Sequence, residues 1–138
     1  MKCKVKGLGT AFALCAALLI QSASSQPTAG AVEGHWGGER LRLVVDAGGA
    51  RIALDCAKGG ITGPLKLDSG GAFSAVGTFE QQRPGPQSAD DLHRAVQARY
   101  AGQVSDGQMT LSILPEGAAA ARVFHLRRDA AVKLVRCL

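Results

Sequence analysis

From Arg40 onward, apolar and polar residues alternate in short runs separated by glycine-rich punctuation. That is the pattern of half-buried β-strands joined by turns. Leu41, Leu43 and Val45 share one face and stop at Asp46-Ala-Gly-Gly49. Ile52, Leu54 and Cys56 follow, ended by Lys58-Gly-Gly60. A third run holds Ile61, Leu65 and Leu67, with a bend at Gly63-Pro64. Asp68-Ser-Gly-Gly71 repeats the first kind of turn. Phe73, Ala75, Gly77 and Phe79 then make a fourth strand, and Tyr100, Gly102 and Val104 a fifth. After Ser105-Asp-Gly107 come Met109, Leu111 and Ile113, then Phe124 and Leu126. Val132 and Leu134 mark an eighth run that reaches the C-terminus.

Eight short strands in chain order, with mostly tight connections, predict an all-β fold. An eight-stranded antiparallel up-and-down barrel is favoured over a two-sheet sandwich, because closure removes exposed edges. One connection, Gln81 to Gln97, is far longer than the rest. In it Ser88 suits the cap of a short helix, with Asp90 and Asp91 in the first turn. Leu92 and Val96, four apart, would pack that turn onto the body. A loop of this length is either a functional element or a plug over one barrel end.

The chain before the barrel reads differently. Lys2, Lys4 and Lys6 precede the apolar run Leu8 to Ile20, followed by small polar residues through Gln26. This is the layout of an export signal, with cleavage expected after Ser25. Residues 1–25 are thus a removable signal, 26–35 a flexible segment, and 36–138 a single barrel domain. The apolar run is too short to span a bilayer comfortably, and no other segment approaches the needed length. The expected destination is the periplasm or the medium, without a membrane span.

Export changes what the charge and the cysteines mean. Losing Lys2, Lys4 and Lys6 takes the formal charge from +5 to +2, so the basic balance is no nucleic-acid signature. Cys3 and Cys15 also leave, and Cys56 and Cys137 remain. In an oxidising compartment they have a single intramolecular pairing, closing most of the mature chain into one loop. The chain-entropy estimate for such a loop is roughly 4 kcal/mol. Gly37-Gly38 offers room for the bridge to pass the start of the barrel.

Candidate chemistry is sparse. His35, His93 and His125 are scattered and match no zinc spacing, so neither a metal nor another cofactor is expected. There is no Gly-x-Ser-x-Gly and no free mature thiol, and the Asp90-Asp91 pair suits a helix start better than acid–base work. An enzyme is not expected. Arg122, Arg127 and Arg128, with Arg83 in the long loop, form a basic set. It is either a solvated face or a surface for a partner.

Gly34-His-Trp36 just before the first run, with Arg136 in the last, resembles the calycin superfamily of lipocalin, avidin and fatty-acid-binding barrels. The resemblance implies a barrel-closing signature in which Arg136 lies over the Trp36 indole and seals one end. Leu54-Asp-Cys-Ala57, Gly60-Ile61 and Gly63-Pro-Leu65 also look like small exported bacterial proteins of unassigned function. A biotin site of the avidin kind wants several tryptophans, and this chain has one. Two functions follow as expectations. One is a non-catalytic exported barrel for a small apolar or amphipathic molecule, lined by Phe73, Tyr100, Met109 and Phe124. The other is a protein-interaction barrel, such as an inhibitor of an exported hydrolase.

Overall fold

The computed structural model describes residues 32–83, 85–86 and 94–137. The expected signal, residues 26–31, and residues 88–93 with the start of the expected helix lie outside them. Val96, expected to pack that helix onto the body, is instead an exposed strand residue. The described chain forms eight strands: β1 (Gly34–Gly38), β2 (Leu41–Asp46), β3 (Gly49–Leu54) and β4 (Ala57–Thr62) come first. β5 (Ala72–Gln81), β6 (Ala95–Ser105), β7 (Gln108–Pro115) and β8 (Arg122–Arg128) complete the set. Each pairs antiparallel with its neighbour, and β8 pairs with β1 to close the barrel.

The strand count matches the sequence reading, but its membership shifts by one. β1 begins at Gly34 and contains Trp36, so Gly34-His-Trp36 lies within the first strand rather than ahead of it. The expected eighth run, Val132 and Leu134, is not a strand; residues 129–137 leave the sheet after Arg128. Nor does the third run continue past its bend. β4 stops at Thr62, and residues 63–71 carry Leu65 and Leu67 across the end of the barrel. Leu65 is buried there and Leu67 packs against the core.

Alternation places one side chain in two inside. Leu41, Leu43 and Val45 of β2 face Leu54, Ile52 and Ala50 of β3 in register, and all six are buried. Two turns follow the expected chemistry: Asp46 Oδ1 accepts from Gly48 N, and Asp68 Oδ1 from Gly70 N, both at 2.9 Å. Lys58-Gly-Gly60, expected as a turn, instead lies within β4, and the chain turns at Asp55-Cys56. Large rings fill the centre. Tyr100 is fully buried, and its hydroxyl donates to the Thr78 carbonyl at 2.6 Å. The ring fits because Gly59 faces it from β4; a Cβ there would fall on the Tyr100 hydroxyl. Burial pushes the phenol up to about 12.

The tail does what the expected eighth strand could not. It runs outside the wall from Arg128, past β1 and β2, to the β3–β4 turn, where Cys137 is disulfide-bonded to Cys56. The Cα atoms are 5.0 Å apart and the residues 81 apart in sequence. Because this tail is not part of the sheet, alternation along it does not dictate which way Cys137 points.

Candidate functional site

Antiparallel order gives the barrel two unlike ends. At one, Val32 and Leu65 are buried and the 63–71 segment crosses. The Trp36 indole points this way, donating from Nε1 to the Val32 carbonyl at 2.8 Å. Arg128, paired with Trp36 in register, lies over the indole at 4.3 Å. It also donates from Nη1 to the Glu33 carbonyl at 2.7 Å. Gly34, Trp36 and Arg128 together close this end. Arg136 does not take part; it is an exposed residue of the tail. The indole closes the end opposite the Cys56–Cys137 disulfide.

The other end gathers the β1–β2, β3–β4 and β7–β8 connections and the roots of the long loop. Here lies a pocket of about 200 Å³ lined by Leu54, Phe79, Ile113 and Phe124, inward residues near this end of four strands. Pro115, Ala118 and Ala120 form one side, and Gln81 and Arg122 stand on the rim. The Arg122 guanidinium lies over the Phe124 ring at 5.2 Å. Nearby, Arg40 donates to and pairs with Asp55, and the Asp55 carboxylate also accepts from Val135 N at 2.6 Å. These bonds, the Arg40 one foremost, hold Asp55 below its ordinary 3.8.

Of the four expected lining residues, Phe124 alone borders this pocket. Phe73, Tyr100 and Met109 are 5%, 0% and 1% exposed and belong to the packed core, so an interior cavity around them is not what the barrel holds. The expected basic set is divided too. Arg83 and Arg122 belong to the pocket end, Arg127 faces outward on β8, and Arg128 closes the far end. His35 and His125 are exposed on outer faces, and His93 lies outside the described residues. Among the described residues no three His, Cys, Asp or Glu side chains come together as a metal site. No helix there is long and apolar enough to cross a membrane.

Sequence reasoning missed Leu54, Phe79 and Ile113 as site residues, reading them as ordinary inward positions. The available signal was position in the run: each is at or near its strand's end on the long-loop side. No family model, curated protein or solved structure matches the chain.

Proposed function

We propose that this chain is a non-catalytic exported barrel that binds a small amphipathic anion at its open mouth. The observation that carries the reading is an apolar pocket with a cation beside it, at one end of a barrel whose described centre is a packed hydrophobic core. An apolar body would rest on Leu54, Phe79, Ile113 and Phe124, and its anionic group would meet Arg122. The pocket's polar side chains, Gln81 and Arg122, can hold an anion but suit neither nucleophile nor general base. Export rests on the N-terminal pattern, and the Cys56–Cys137 bridge is consistent with an oxidising compartment. Trp36 under Arg128 on the last strand supports kinship with calycin-type barrels.

A methyl- and amide-resolved NMR titration with octanoate, octanol and octylamine tests the site. Shifts are expected at Leu54, Phe79, Ile113 and Phe124, with octanoate about tenfold tighter than octylamine. Arg122→Ala should erase that preference. Equal responses to all three, or shifts spread over the outer wall, would overturn the reading.

One observation favours a second reading, a protein-interaction barrel such as an inhibitor of an exported hydrolase. The pocket is smaller than the roughly 300–1,000 Å³ usual for small-molecule sites, and suits one inserted side chain. A mouth indifferent to all three probes but protected by a purified hydrolase would select this alternative.

A further inference from the structure

The barrel's closure is uneven. β8 meets β1 through two paired positions, Trp36 with Arg128 and Gly37 with Arg127. The β4–β5 junction has four such pairs and β5–β6 has nine. The tail lies across this thin seam. Asp129 N donates to the His35 carbonyl at 2.8 Å as the chain turns out of β8. It then crosses Gly37, where a Cβ would collide with the Ala130 carbonyl oxygen and the Val132 side chain. The Val132 carbonyl accepts from Arg42 Nη2 at 3.0 Å, and Val135 N donates to Asp55 at 2.6 Å. Val132 and Leu134 are half-buried against the wall. These are isolated, solvent-facing bonds rather than a ladder, and the covalent fastening is at Cys137 alone.

We propose that residues 129–137 are a latch over the β1–β8 seam, locked by the Cys56–Cys137 disulfide and released by a dithiol reductant. In the release, a thiolate of the reductant attacks one sulfur and the Cys56–Cys137 bond breaks. The reductant's second thiol resolves the mixed disulfide; the reductant leaves as its own disulfide, and both protein sulfurs leave as protonated thiols. The tail then lifts from Gly37 and Arg42, and the seam keeps its two pairs, the Arg128 contacts to Trp36 and Glu33, and the bond from His125 N to Glu39 Oε2 at 2.5 Å. The Cys56 turn itself stays in place, because its carbonyl still accepts from Gln82 N at 2.7 Å. The effect is therefore local to β1, β2, β8 and the tail.

Hydrogen exchange read by mass spectrometry on the full mature chain, oxidised and after dithiothreitol, tests this. Peptides covering 33–45 and 122–137 should exchange about tenfold faster when reduced, while those covering 72–81 and 95–115 change less than about twofold. No change at the seam would overturn the latch. So would an equal rise in every strand, which would assign the disulfide a role in the unfolded chain alone. Arg42→Ala in the oxidised protein gives a second reading from a surface change. It should raise exchange at 33–45 about twofold to fivefold and leave 95–115 alone. An unchanged 33–45 peptide there would also count against the latch.

Discussion

β8 carries an arginine over an aromatic ring at each end of the barrel, and the two pairs differ in what else the cation does. Arg128 lies on Trp36 at 4.3 Å and is also bound to the Glu33 carbonyl. It tethers the entry of β1 beneath buried Val32 and Leu65. Arg122 lies on Phe124 at 5.2 Å and has no hydrogen-bonding or ionic partner among the described residues. The first cation is committed to structure, whereas the second keeps its donors facing an apolar pocket. The same contact seals one end and equips the other.

The largest way to break this contrast is at the seal. Trp36→Ala should destabilise the barrel by about 4 kcal/mol, read from the denaturant midpoint, since it empties the most bulky buried site. Arg128→Ala should cost about 2 kcal/mol, for the stacked cation and its carbonyl bond together. Arg122→Ala should change stability by less than about 0.5 kcal/mol while removing anion preference at the mouth. If the two arginines proved equally costly, the ends would not differ as described.

Two pH experiments sharpen the comparison. Tyr100 is raised from 10.0 to about 12, so its contribution is complete below pH 10 and is lost as pH climbs toward 12. Unfolding midpoints should fall across that window, and Tyr100→Phe should flatten the fall. Asp55 is lowered from 3.8, chiefly by Arg40 and then by Val135 N–H. Its contribution is therefore present above pH 4 and lost as pH falls through the lowered value. Asp55→Asn should remove this smallest effect, seen as a flatter acid limb in exchange at residues 133–137.

Strands β2, β3, β5, β6 and β7 were legible because their inward positions alternate and end at Asp-, Gly- or Pro-containing turns. β4 was not, because Lys58-Gly-Gly60 reads as a turn yet runs through the strand, the chain turning instead at Asp55-Cys56. β1 was not, for Gly-His-Trp-Gly-Gly has one large apolar residue and nothing to alternate with it. Val132 and Leu134 alternate as a strand would, because a tail laid on the barrel's outside also half-buries every second residue. Were that run the last strand, Arg136 would be the sealing cation. The register that selects Arg128 depends on β8 closing onto β1, a long-range pairing that no local pattern encodes. The pocket was hidden for a related reason: an inward residue looks the same in sequence at the packed centre as at an open rim.

Xenon-pressurised crystals of the oxidised protein test most directly the claim that the described barrel centre is packed and apolar space lies at the long-loop mouth. Xenon occupies dry apolar space without needing a particular headgroup. It is expected beside Leu54, Phe79, Ile113 and Phe124. Xenon lodged among Phe73, Tyr100 and Met109, with none at the mouth, would contradict it.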